Sequence, residues 1–95
     1  MFKWYSSEKL EFFWDKQKNE KLIFERKISF EDVLIKLSEN SFFRIVSGNR
    51  KNQNYLLLEM NGYIYVVPFV KDKNKIFLKT IFPSRKMTKK YLGGK

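Results

Sequence analysis

The clearest periodic pattern in the chain begins at Ser29. After this residue, apolar side chains recur at positions i, i+3, i+4 and i+7, the spacing of one face of an amphipathic helix. Ser29 and Asp32 also have the spacing of a capping box, in which each side chain bonds the backbone N–H of the other residue. We therefore expect a helix that starts after Ser29 and ends near residues 39–41. Its apolar face consists of Phe30, Val33, Leu34 and Leu37.

A more polar helix is predicted before this one. Residues 10–14 favour a short strand, and Asp15 then fits the N-cap of a helix that continues through Arg26. Leu22 and Ile23 are its main apolar positions. Because so little of its surface is apolar, we expect this helix to lie on the outside of the fold.

Apolar runs separated by turn residues predict four antiparallel strands in the middle of the chain. Asn61-Gly62 is a strong hairpin signal, since both residues tolerate the positive φ of a type I′ turn. The run after this turn is apolar on both faces, so we expect a central strand, with Pro68 near one end, where its missing N–H is harmless. The four runs are residues 42–46, 53–60, 63–70 and 75–82, with loops at 47–52 and 71–74.

Ser84 fits the N-cap of a last helix, which runs from Arg85 to about Leu92 and ends at Gly93. The predicted order is β-α-α-β-β-β-β-α, an α+β fold in which two N-terminal helices pack on an antiparallel sheet and a short basic helix follows it. A chain of 95 residues suits a single domain. We expect the body of that domain at residues 10–92, preceded by an N-terminal extension.

Composition narrows the chemistry that the chain can perform. There is no cysteine and no histidine, so the commonest metal ligands and the commonest general base are absent. The carboxylates are scattered, and we expect neither a metal nor a cofactor. No apolar stretch approaches the roughly 18 residues of a membrane span, and the first residues lack a signal-peptide pattern. We therefore expect a cytoplasmic protein.

The positive charge is concentrated at one end of the sequence. Residues 71–95 hold nine Lys and Arg against one Asp, whereas residues 1–70 hold eleven against nine Asp and Glu. Such a field suits RNA, DNA, an acidic protein or an anionic membrane. A basic tail surrounded by solvent is the simpler interpretation of the same pattern.

Four stretches, in order along the chain, resemble the BrnT family of toxins. The first combines Phe-Trp-Asp at 13–15 with Lys-Asn-Glu at 18–20, and the second is the helix start Ile-Ser-Phe-Glu-Asp at 28–32. The third is the hairpin at 61–63, which leads to Val-Pro-Phe at 67–69. The fourth joins the strand at 77–81 to a helix with Ser, Arg, Thr and Tyr at 83–91.

This resemblance implies a RelE-like fold and a metal-independent endoribonuclease that cleaves RNA and so inhibits translation. It implies a cognate antitoxin with a DNA-binding domain, encoded by an adjacent gene, and a heterotetramer of toxin and antitoxin that represses its own promoter. The chain departs from the family in its polar loop, where Ser-Gly-Asn-Arg at 47–50 replaces a sequence that often contains a histidine. Residues 1–9 precede the usual start of the family.

RNA cleavage by the ribose 2′-OH needs a proton acceptor, a proton donor for the leaving 5′-oxygen and a cation for the developing charge. Arg85 is the first choice for the cation, because its planar fork binds phosphate oxygens and it matches the arginine of the family motif. Tyr91 is a candidate proton donor or stacking residue, and Glu59 is the acidic candidate for the base. Lys79, within the predicted last strand, and Lys18, on the first helix, complete the catalytic candidates.

Four of these five residues also have a simpler explanation. Arg85 could be an ordinary surface arginine, and Lys79 could extend to solvent from its strand. Tyr91 could pack against the fold, and Glu59 could pair with a lysine on a neighbouring strand.

A second set of residues is predicted to bind RNA without taking part in the chemistry. Lysines on the last helix would position phosphates, loop cations would contact RNA or antitoxin, and Trp14 would stack on a base unless it belongs to the core. The set is Trp14, Arg50, Lys51, Lys86, Lys89 and Lys90.

Two other classes of protein fit the same sequence. A non-catalytic nucleic-acid-binding module needs only the basic end and the aromatic side chains, although no recognised binding motif is present. A RelE/ParE-like subunit that acts on a protein target is the other alternative, because one fold can serve several targets.

Overall fold

The computed structural model describes residues 10–39, 43–48 and 53–93. Within these ranges, three helices and six strands follow one another in nearly the predicted order. The strands are β1 (Glu11–Phe13), β2 (Phe43–Ser47), β3 (Gln53–Met60), β4 (Tyr63–Asp72), β5 (Lys75–Leu78) and β6 (Phe82–Pro83). The helices are α1 (Lys16–Arg26), α2 (Phe30–Ser38) and α3 (Arg85–Leu92).

The strands form one mixed sheet, and the predicted α+β class is confirmed. The strand order is β1-β5-β4-β3-β2, and β6 pairs with β4 beyond the end of β5. All neighbouring strands are antiparallel except β1 and β5, which are parallel. The prediction of a purely antiparallel sheet is therefore wrong at this edge. Two helices and three strands separate β1 from β5, so no hairpin forces them to run in opposite directions.

The predicted helix caps are confirmed. The Asp15 side chain accepts from the backbone of Lys18 at the start of α1, and Ser29 and Asp32 form the complete capping box of α2.

On α1, Leu22 is buried but Ile23 is exposed, so only one of the two expected apolar anchors contacts the core. A helix that touches the sheet along a single narrow stripe cannot bury two consecutive residues, because they point about 100° apart.

The main core lies between the sheet and the pair formed by α1 and α2. Alternate residues of a strand point to opposite faces, so Leu56 and Leu58 of β3 join this core whereas Leu57 faces the other side. The apolar stripe of α2 packs against them, with Phe30 and Val33 fully buried. No helix in the described ranges is long and apolar enough to cross a membrane.

Buried Asn19 joins α1 to α2. Its side-chain oxygen accepts from the backbone N–H of Phe30 at 2.8 Å, and its Nδ2 donates to Oε1 of Glu31 at 2.9 Å. The hydrogen bond from Asn19 is the main cause that lowers the pKa of Glu31 below its ordinary value. Asn19, within the stretch at 18–20, therefore has a structural role between the two helices.

The two hairpins follow the turn chemistry of the sequence. Asn61 and Gly62 have φ angles of 58° and 78°, in agreement with the predicted type I′ turn. The second hairpin is tighter than expected. Because β4 continues to Asp72, only Lys73 and Asn74 form its turn, and Lys73 has a φ of 59°.

The predicted last strand at 75–82 is confirmed only as far as Leu78, and Pro68 explains the difference. The backbone N–H of Lys79 donates to the carbonyl of Pro68 at 2.8 Å. In an antiparallel ladder the reciprocal bond would come from the N–H of residue 68, which proline lacks. Pairing with β5 therefore stops at Leu78, and the chain pairs with β4 again only at β6. Pro68 thus lies in the middle of β4, beside a gap between two partner strands, and not near a strand end.

Candidate nucleic-acid interface

Helix α3 crosses the sheet face opposite to α1 and α2. The Ser84 side chain caps the helix by accepting from the backbone of Met87, and the Ser84 N–H donates to the carbonyl of Ile64 at 2.9 Å. Buried Thr88 accepts from the N–H of Ile64 at 2.9 Å through its hydroxyl, which donates to the carbonyl of Ser84 at 2.7 Å. These bonds fix the first two turns of α3 to β4.

The charged residues of α3 lie on its outer side. Met87, Thr88 and Tyr91 face a small second core of Leu57, Ile64 and Val66, and each of these α3 residues is buried or half-buried. Four cations of the same helix are exposed, and they span five residue steps, so α3 presents a positive surface about 8 Å long. They are Arg85, Lys86, Lys89 and Lys90.

Tyr91, at the far end of α3, has two cations close to its ring. The guanidinium carbon of Arg44 is 5.7 Å from the centre of the Tyr91 ring, and Nζ of Lys90 is 5.5 Å from it. Both distances allow cation–π attraction. Arg44 comes from β2, which shows that α3 extends across the sheet from β4 toward this edge strand. Nothing in the local sequence pattern singles out Arg44, because only the packing of α3 on the sheet brings it near the predicted site.

Exposed aromatic side chains occupy the part of this sheet face that α3 leaves open. Phe13 pairs in register with Phe77, and Phe82 pairs with Val66 of the second core, so all three point to the face of α3. Their exposed fractions are 45%, 42% and 36%, respectively. A groove of about 300 Å³ lies beside Phe82, between β2, β3 and α3. Phe82 lies three residues before Arg85, whereas Phe13 and Phe77 lie on β1 and β5, on the side of β4 away from β2. Exposed rings on the same sheet face as a row of cations can stack on the bases of a single-stranded nucleic acid.

The structure divides the predicted catalytic residues among several places. Arg85 begins α3 and Tyr91 lies six residues later, which separates them by about 9 Å along the helix axis. Half-buried Glu59 lies on β3 opposite Ile64, on the face that α3 crosses. Among the described residues, no lysine or arginine forms an ion pair with Glu59 within 4.0 Å.

The other two catalytic candidates, Lys79 and Lys18, belong to other segments of the chain. Lys79 is exposed in the segment after β5 and not within a strand, because the ladder stops beside Pro68. Lys18 belongs to α1, which packs on the opposite face of the sheet, and its backbone N–H contributes to the cap by Asp15. A single active site at α3 would therefore not include Lys18.

The predicted RNA-binding residues are also split. The Trp14 ring stacks on Phe30 with 5.5 Å between ring centres and packs against the main core, so its position is explained by folding. Lys86, Lys89 and Lys90 belong to the exposed cations of α3. Arg50 and Lys51 lie outside the described residues.

Comparison with known proteins adds no assignment. No model of a known protein family matches the chain, and no curated protein matches it.

Proposed function

We propose that this protein is the RNA-cleaving toxin of a type II toxin–antitoxin system, with a RelE-like fold of the BrnT type. The observation that carries the proposal is the arrangement on α3. Its four exposed cations lie on the outer side, and Tyr91 at its end has Arg44 and Lys90 close to its ring. A surface of this kind can hold several phosphates of one RNA strand and also offers a phenolic proton close to fixed positive charge.

The cleavage that this surface supports is attack of a ribose 2′-OH on the adjacent phosphorus. The new bond joins the 2′-oxygen to phosphorus, the bond to the 5′-oxygen breaks, and the products end in a 2′,3′-cyclic phosphate and a 5′-OH. Arg85 stabilises the negative charge that develops on the phosphate oxygens. Glu59 accepts the proton of the 2′-OH, and Tyr91 donates a proton to the departing 5′-oxygen.

The exposed aromatic side chains on the α3 face of the sheet support the choice of single-stranded RNA as substrate. Phe13, Phe77 and Phe82 can stack on unpaired bases, which a double helix does not offer. The same apolar and basic face would suit an antitoxin segment that is acidic and partly apolar. Binding there would cover the cations of α3 and keep the toxin inactive until the antitoxin is removed.

Induced expression with and without the adjacent gene tests this function. Wild type should arrest growth and cleave cellular RNA, the adjacent gene should restore growth, and Arg85→Ala should abolish both effects at equal protein levels. Lys16→Ala is the matched control, because Lys16 is an exposed cation on α1, on the other side of the sheet.

Other outcomes would redirect or remove the proposal. Growth arrest with intact RNA would move the target to a protein. Full growth with abundant, folded wild-type protein would indicate a non-catalytic binding protein. Equal loss of toxicity in Arg85→Ala and Lys16→Ala would show that total charge, and not the α3 surface, is responsible.

A further inference from the structure

A polar pocket lies on the other face of the sheet, away from α3. It has a volume of about 380 Å³. It is bounded by residues 26–28, which connect α1 to α2, by residues 32–36 of α2, and by the hairpin between β3 and β4. This volume falls within the roughly 300–1,000 Å³ that small-molecule sites occupy. None of the predicted RNA-cleaving residues lines this pocket.

Three cations surround the pocket. Arg26 donates through Nη1 to the carbonyl of Ile81 at 2.6 Å, which holds its guanidinium in place while most of its five N–H donors are not used by that bond. Lys27 lies directly after α1 with a φ of 58°, and Lys36 comes from α2. Among the described residues, Lys36 pairs with Glu39 at 3.7 Å, an exposed contact that contributes little to stability and is easily exchanged. A phosphate carries the negative charge that these three cations would attract.

The remaining lining differs from that of a simple anion site. Asp32 is an acidic residue of the lining. Oδ2 of its carboxylate accepts from the backbone N–H of Ser29. Its Oδ1 has no hydrogen-bond partner among the described residues, and a carboxylate oxygen of this kind suits ribose hydroxyls. Tyr65 adds an aromatic ring, and Asn61 adds an amide that can both donate and accept.

We infer that this pocket binds a nucleotide. The phosphate lies among Arg26, Lys27 and Lys36, the ribose hydroxyls lie toward Asp32, and the base lies toward Tyr65. The ligand is either a free mononucleotide or one nucleotide unit of an RNA strand, since both carry the same three groups. The inference does not depend on RNA cleavage, because nucleotide binding can be measured in a protein that cleaves nothing.

Titration of the full chain with AMP, followed by NMR chemical shifts, tests the inference. We expect saturable shifts at residues of the pocket, weaker binding of adenosine, which lacks the phosphate, and weaker binding of inorganic phosphate, which lacks the nucleoside. Lys36→Gln and Lys27→Asn should each weaken AMP binding at least about fivefold. Asparagine is chosen at position 27 because it tolerates the positive φ. Lys21→Gln, at an exposed position on α1 outside the pocket, is the matched control and should bind AMP as wild type does.

Each other outcome overturns the inference. The first is that millimolar AMP causes no shifts at pocket residues. The second is that adenosine or phosphate binds as tightly as AMP. The third is that Lys21→Gln weakens AMP binding as much as the pocket variants do. A short single-stranded RNA then identifies the source of the ligand. If AMP competes with this RNA and Lys36→Gln weakens both, the pocket holds a unit of the strand. If RNA binding is unchanged in Lys36→Gln, the ligand is the free mononucleotide.

Discussion

At the scale of single residues, two buried polar side chains explain how the elements that carry charge are held in place. In the part of the chain that the structure describes, these are Asn19 and Thr88, which are 8% and 3% exposed. Each one accepts a hydrogen bond from a backbone N–H that packing removes from water. Asn19 accepts from Phe30, and Thr88 accepts from Ile64. Such groups are costly to bury without a partner, so both side chains stabilise the fold through the bonds they complete.

Thr88→Val should therefore destabilise the protein by about 1–3 kcal/mol, because valine keeps the shape but leaves the Ile64 N–H without an acceptor. Denaturant unfolding followed by circular dichroism measures the change. Thr88→Ser keeps the hydroxyl and should cost less than Thr88→Val. If the serine variant were the less stable of the two, the lost methyl group and not the hydrogen bond would determine the stability at this position.

At the scale of elements, the contact between α1 and α2 should make stability depend on pH. The hydrogen bond from Asn19 lowers the pKa of Glu31 in the folded protein, so the folded state favours the charged carboxylate. This contribution is present above the ordinary value of 4.5 and is lost as the pH falls through the lower folded-state pKa.

Glu31→Gln removes the titration but leaves an oxygen that can accept from Asn19. The stability advantage of wild type over Glu31→Gln at pH 6 should shrink as the pH is lowered toward 3, in urea unfolding measured at each pH. A difference that stays constant across this range would show that the Asn19 bond does not favour the charged form of Glu31.

The elements also show what the sequence can and cannot predict. The helices, their caps at Asp15, Ser29 and Ser84, and the turn at residues 61–62 are encoded by neighbours within four residues, so local patterns were enough. The end of β5 depends on Pro68, eleven positions before Lys79, and on which strand pairs with it. Arg44 likewise reaches Tyr91 only through the packing of α3 on the sheet. Local periodicity carries no information about such long-range contacts.

At the scale of the whole molecule, the sheet separates two charged regions. One face carries α3 with its four exposed cations and the neighbouring aromatic side chains, and the other carries α1, α2 and the polar pocket. If α3 holds RNA phosphates, RNA binding should weaken as the salt concentration rises. The slope of log Kd against log salt should then be proportional to the number of phosphates contacted.

Replacing both Lys89 and Lys90 with Gln should reduce the slope of log Kd against log salt by roughly 0.7 for each lost phosphate contact on single-stranded RNA. Fluorescence anisotropy with a labelled RNA at several salt concentrations measures this slope. The double variant Lys16→Gln/Lys21→Gln has the same net charge and changes exposed residues of α1. Equal slopes in the two double variants would mean that RNA senses only the total charge of the protein.

The most direct test of the central claim is to incubate the purified protein with a defined single-stranded RNA, both free in EDTA and on translating ribosomes, and to identify the products by mass spectrometry. Wild type should release fragments that end in 2′,3′-cyclic phosphate and 5′-OH in at least one of the two settings. Arg85→Ala should be slower by about 10²- to 10³-fold, while Lys16→Ala keeps the wild-type rate. Intact RNA in both settings with folded wild-type protein, or equal rates for wild type and Arg85→Ala, would contradict the assignment of this protein as an RNA-cleaving toxin that acts through α3.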